Sequence, residues 1–165
     1  MRLMVIALAA AFVAVPLAGQ GQEVPKYVSD AGMRWNVPVR LLVAIMRQES
    51  GGRPWAVNVA GIAHQPGSRG EALEIIRDAQ AAGKSFDVGL MQINSTWIRR
   101  LNLPPEYALE PVNNVFIGAW ILSQEIARHG LGWRAVASYH TPVDKNPDRG
   151  RRYALAVIEH LWKLP

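Results

Sequence analysis

Glu49 closes an apolar run. It stands four residues after Ile45 and seven after Leu42, so a helix here puts its carboxyl on the same face as those aliphatic side chains. Gly51 and Gly52 follow directly. An unpaired charge on a buried face would cost several kcal/mol, roughly the penalty of a desolvated ion. Two outcomes relieve that cost. In one, Glu49 is structural and salt-bridged to an arginine such as Arg47, Arg53 or Arg99. In the other its pKa is raised, and a carboxyl that holds its proton near neutral pH can serve as a general acid. A second acid, Asp87, stands two residues before Gly89. Paired with Glu49 across a bond it would act as nucleophile or activate water; as a turn residue it would only bond its own backbone. Ser50 and Tyr139 offer hydroxyls, and Gln92 and Asn94 offer amides, to Glu49 or to a sugar. Each also has an ordinary structural use in a turn, a cap or the core.

The elements that must hold these groups are helical. Tyr27–Trp35 reads as a short helix interrupted at Asn36–Val37, with Pro38 placed for the first turn of the next, where its missing N–H costs nothing. Leu41, Leu42, Ile45 and Met46 follow at helical spacing up to the glycine pair, and a loop is expected from Gly51 to Gly67. Ser68 and Glu71 have capping-box spacing ahead of a stripe of Ala72, Ile75, Ile76 and Ala79 that ends at Gly83. The stretch 87–94 is expected to be irregular, with a short strand or turn. Ser95–Leu101 reads as a helix stopped by Leu103–Pro104–Pro105. Val115, Ala119, Leu122 and Ile126 mark the longest helical stripe, with Gly130 beyond its end. Trp133–Tyr139 is a shorter helix, and Asn146–Pro147 starts a last one with Ala154, Val157, Ile158 and Leu161 on one face. No repeat and no alternating strand series is evident, so the fold class is mainly α.

The chain of 165 residues fits one domain with a sizeable core; half its residues are hydrophobic and 19% are charged, which excludes a disordered or fully membrane-embedded protein. Residues 1–19 have the layout of a cleaved secretory signal peptide: Arg2, an uncharged run Leu3–Val15, then Pro16 and small residues. That run falls short of the roughly 20 residues that span a bilayer, so no stable membrane span is expected after cleavage. Residues 20–26 read as a linker and 27–165 as the domain. Cysteine is absent, which leaves packing alone to hold an exported chain together. The formal net charge of +5 favours polyanionic surroundings, and export points to envelope polymers rather than nucleic acid.

"ESGG" at Glu49, "DVGLMQIN" at Asp87–Asn94 and "AVASYH" at Ala135–His140, in that order, resemble the SLT-type lytic transglycosylases, whose fold is a goose-type lysozyme-like helical domain. The resemblance runs from about Tyr27 to Leu161. It implies that Glu49 is catalytic, that Gly89, Leu90, Met91 and Gln92 line the cleft floor, and that Tyr139 lies beside Glu49. Ser50, Met91, Gln92, Asn94 and Tyr139 are then the expected substrate-binding residues. It also implies an exported, periplasmic enzyme that needs no cofactor or metal and acts on peptidoglycan glycan strands. Two departures stand out. The family's Asn-Ala-Gly after the tyrosine is His140–Thr141–Pro142 here, and a helix over 73–82 is inserted between Glu49 and Gly89. A similar long spacing marks transglycosylases that accompany type IV secretion and conjugation machines, which implies subunits of such a machine as partners.

Trp120 reads as core, while Trp55 and Trp97 flank the motif loops and suit either core or glycan stacking. His64, His129, His140 and His160 show no metal-binding spacing. Arg149, Arg151 and Arg152 cluster at the last helix; a solvated face is the default for such a run, with contact to anionic muropeptide or a membrane surface as the alternative.

Overall fold

The computed structural model describes residues 24–164. The expected signal peptide and residues 20–23 of the linker lie outside that range.

Helix α1 (Lys26–Trp35) ends where Asn36 turns left-handed, at φ 52°, and bonds back to the Gly32 carbonyl. Asparagine tolerates that conformation better than most residues, so the chain reverses into α2 (Val39–Ser50) with Pro38 at the N-cap, just before the first turn expected for it. Leu42, Ala44 and Ile45 are fully buried. Each large aliphatic on this face stabilises the fold by about 1.5–3 kcal/mol through area removed from water.

Helix α3 (Arg69–Ala81) starts at the expected cap: the Ser68 hydroxyl accepts the Glu71 N–H. The reciprocal bond is displaced by one residue, since the Glu71 carboxylate takes the N–H of Gly67 at 2.8 Å. After α4 (Ser95–Arg100), the proline pair read as a stop starts a further short helix, α5 (Pro105–Leu109), because proline at the first helical position forfeits no bond. Helix α6 (Pro111–His129) carries the long stripe, with Val115, Ala119 and Leu122 fully buried. Helices α7 (Trp133–His140) and α8 (Pro147–Trp162) pack on each other, and α8 also packs on α2. The buried side of α8 is rotated from the expected one. Tyr153, Ala154 and Val157 face inward, whereas Ile158 is 37% exposed.

The fold is mainly α, as the helical periodicity requires, with one small antiparallel sheet. Strands β1 (Val57–Val59), β2 (Ile62–His64), β3 (Phe86–Val88) and β4 (Ile93–Asn94) lie in the order β2-β1-β3-β4. The β3–β4 pair answers the short strand expected near 87–94. The β1–β2 hairpin corrects the loop expected from Gly51 to Gly67. It turns on Ala60 and Gly61, both at positive φ, and Asn58 accepts the Gly61 N–H. Positive φ at both central residues suits the right-handed twist of the strands. The inserted α3 packs on β1, so the insertion supports the sheet.

Among the described residues no helix is long and apolar enough to cross a membrane.

Candidate active site

The two glycines behind Glu49 explain its position. Gly51 and Gly52 adopt φ of 63° and 78°, and their N–H groups return to Arg47 and Met46, which closes α2 and swings the chain away. Glu49 therefore lies in the last helical turn, where the core stripe runs out into an open cleft of about 620 Å³. Among the described residues it has no ion pair. The Arg53 guanidinium packs near Gly51 instead.

Burial pushes the Glu49 carboxyl up to about 7, a bond from Tyr153 pulls it partly back, and the nearby Asp87 charge pushes it up again. The carbonyl end of the α2 dipole acts in the same upward direction. The Tyr153 hydroxyl donates to Glu49 Oε1 at 2.6 Å. In turn the Tyr153 ring stacks on His140, with centroids 4.5 Å apart and planes within 5°.

The sheet supplies the opposite side. Asn58, Asp87 and Asn94 are cross-strand neighbours on β1, β3 and β4, and all three line the cleft with Glu49. Asp87 is thus a strand residue and not a turn residue. Its Oδ1 accepts the Asn94 amide at 2.7 Å, and partial burial raises its pKa despite that bond. Asn94 also caps α4 by accepting the Thr96 N–H.

The other expected contact residues are used differently from one another. Gln92 lines the cleft at φ 45°, and its amide nitrogen donates to the Ala56 and Gly89 carbonyls. Tyr139 lines the cleft and donates to the Met91 carbonyl at 2.8 Å, which ties α7 to the motif turn; burial and the Glu49 charge hold its hydroxyl protonated. Ser50 faces away from the cleft. Its buried hydroxyl lies 3.0 Å from both the Met46 and Leu90 carbonyls, which share its one proton, and accepts the Gly52 N–H, so it clamps the helix end to the turn. Met91 is fully buried, its side chain against Gly118 of α6, where the absence of a Cβ makes room for it, so it does not meet the cleft as expected. Trp97 forms part of the cleft and meets Trp120 edge to face at 5.6 Å; Trp55 packs on the core.

Sequence reasoning missed Tyr153, Asn58, Ser138 and Asn114. Ser138 lines the cleft with a buried hydroxyl that has no partner among the described residues. Asn114, fully buried on α6, accepts the Met91 N–H at 2.7 Å and donates to the Val88 and Ala108 carbonyls. It holds the motif turn in place. One signal pointed to it: an asparagine one position before the Val115 stripe has no place on an apolar face unless its polar atoms are paired. Tyr153 had a comparable signal, lying four residues before Val157.

No group of three His, Asp or Glu suited to a metal occurs among the described residues. Replacing Tyr153 by Phe removes the donor that stabilises ionised Glu49. The Glu49 pKa is expected to rise by roughly one unit, the worth of one charge-assisted hydrogen bond. Titration of the Glu49 carboxyl by NMR in both proteins checks this; an unchanged midpoint would refute the coupling.

A family model described as the transglycosylase SLT domain matches residues 26–151. Invasion protein IagB of Salmonella typhi is 33% identical over 140 residues, covering 82% of this chain and 74% of that protein. Protein IpgF of Shigella flexneri is 31% identical over 139 residues, covering 81% and 78%. The type IV secretion system protein virB1 of Brucella abortus is 33% identical over 93 residues, covering 52% of this chain and 37% of that protein. No solved structure gives a significant match.

Proposed function

This chain belongs to the transglycosylase SLT domain family, a family of peptidoglycan-cleaving lytic transglycosylases, and from that premise we propose its chemistry, its catalytic residue and its setting. The bond cut is the β-1,4 link from N-acetylmuramic acid to N-acetylglucosamine, and Glu49 serves in turn as acid and base. Its protonated carboxyl gives a proton to the glycosidic oxygen as the bond to C1 breaks. The resulting carboxylate then takes the proton of the muramic C6 hydroxyl while that oxygen attacks C1. A 1,6-anhydro ring closes, Glu49 regains its proton, and no water is consumed. The observation that carries this reading is a carboxyl with no ion pair among the described residues, held near pKa 7 at the edge of an open cleft. A group poised there is suited to both halves of the cycle.

Tyr153 steadies the carboxyl, Tyr139 holds the motif turn under the cleft, and Gln92 and Asn94 stand where the N-acetyl groups would pass. Asp87 supports a second reading. It lines the same cleft and its charge acts on Glu49, so water activated across the floor would make the enzyme a muramidase. Digestion of purified sacculi followed by mass analysis separates the two. Anhydro-muropeptides support transglycosylation, reducing ends require hydrolysis, and no release from wild type would leave only a glycan-binding assembly factor.

The setting proposed is the periplasm, after export on the signal peptide, where local opening of the wall would serve a secretion or conjugation apparatus. The names of the relatives support it: one is an invasion protein and another a type IV secretion system protein.

The raised carboxyl pKa also sets the pH dependence. Glu49 must be protonated to begin the cycle, so kcat/KM is expected to fall as pH rises through about 7. A pH–rate profile on soluble glycan strands checks this; an alkaline limb centred well above 8 would assign the acid to another group.

A further inference from the structure

The wall made by the end of α7 and the start of α8 is where the chain departs from the family's Asn-Ala-Gly, and it brings His140, Pro142 and Arg149 into the cleft. Arg149 Nε donates to His140 Nε2 at 3.3 Å. A ring nitrogen that accepts this bond carries no proton, and partial burial together with the Arg149 charge holds His140 below its usual range. The cation on this wall is therefore the guanidinium.

Its orientation is well defined. His140 stacks on Tyr153, Tyr153 bonds Glu49, and the Arg149 backbone N–H is capped by Asn146. Arg69, Arg128 and Arg134 each meet a carboxylate, but among the described residues Arg149 has none within salt-bridge distance. Its Nε is spent on His140, which leaves the two terminal amino groups, in a planar fork that matches a carboxylate. Asp87, on the sheet side of the cleft, would repel an anion there, so the Arg149 wall is where one can settle.

We propose that Arg149, oriented by His140, binds a carboxylate that the glycan carries beside the bond to be cut. The substrate class rests on the reading under Proposed function. Muramic acid can present such a group in two ways: as its own lactyl carboxylate where the strand has lost its peptide, or through the carboxylates of a stem peptide where it has not. In both cases the guanidinium reads the muramic unit, and a strand of N-acetylglucosamine alone offers it nothing.

The test uses Glu49→Gln as an inert parent and adds Arg149→Gln, titrating each by calorimetry with three tetrasaccharides. These are a muropeptide strand with stem peptides, the same strand stripped to free lactyl carboxylates, and an N-acetylglucosamine tetramer. Arg149→Gln is expected to weaken one or both carboxylate-bearing ligands about tenfold, the worth of a charge-assisted bidentate bond, and to leave the neutral tetramer unchanged. Loss on the peptide-bearing strand alone identifies the stem peptide; loss on the stripped strand identifies the lactyl group. Equal loss on all three, or loss on none, overturns the proposal. The parent reports separately on the glycan reading: if it binds no tetrasaccharide at all, both readings fail. Circular dichroism of the two proteins controls for folding, which an exposed arginine is not expected to affect.

Discussion

Glu49→Gln is expected to stop muropeptide release from sacculi, lowering the rate by about 10²–10⁴-fold, the contribution of a positioned general acid. Glutamine keeps the shape and still accepts the Tyr153 bond, but it has no proton to give. The same change should stabilise the fold. The folded pKa of about 7 lies above the ordinary 4.5, so Glu49 contributes stability that is full below pH 4.5 and is lost as pH rises through 7. Above pH 7 the wild type carries a buried charge that glutamine lacks. The gap of about 2.5 pKa units corresponds to roughly 3 kcal/mol as an upper figure. Thermal melts of both proteins should coincide near pH 4 and diverge by pH 8, with the variant melting higher. A wild type that melts higher at pH 8 would mean that the ionised carboxylate is held by favourable partners, contrary to the site described here.

The second large effect is expected at a residue that never meets substrate. Asn114 fills three hydrogen-bonding roles with one side chain, to the Met91 N–H and the Val88 and Ala108 carbonyls. Asn114→Ala would leave those groups unpaired in a fully buried position, at a cost of about 4 kcal/mol. For a domain of this size that is a fall in Tm of roughly 10 °C. The loss should extend to activity below the melting range, because the freed turn carries Gln92 and anchors Tyr139. The turn leaves little room for repair. A Cβ on Gly89 would overlap the Asn114 amide, and Gly89 itself sits at φ 78°. Thermal melts and sacculus digestion at 20 °C check both halves. A variant that melts with the wild type would show that water or relaxation satisfies the freed groups.

Much of the fold was legible because helices announce themselves locally. The α6 stripe, the glycine stop after α2, and the Ser68 and Asn146 caps depend on spacing within a few residues, and the structure has each of them. The β1–β2 hairpin was not legible. Three-residue strands are too short to alternate visibly, Ile62 is 66% exposed, and the turn uses alanine at positive φ in place of the usual asparagine or aspartate. The burial of α8 was misjudged for a related reason. Ile158 looks like core by type, but the helix rotates to pack Tyr153 against α2 and α7, and no local pattern records that choice.

From residue order alone came the family, the helical class and a carboxylate on an apolar face, since each is a property of types and intervals along the chain. Whether that carboxylate is paired or left to hold its proton was decided only by tertiary packing. The groups that settle it come from far along the chain, Tyr153 on α8 and Asp87 on β3, and among the described residues no arginine pairs with Glu49. A pKa depends on distance and dielectric in space, and neither can be computed from sequence separation.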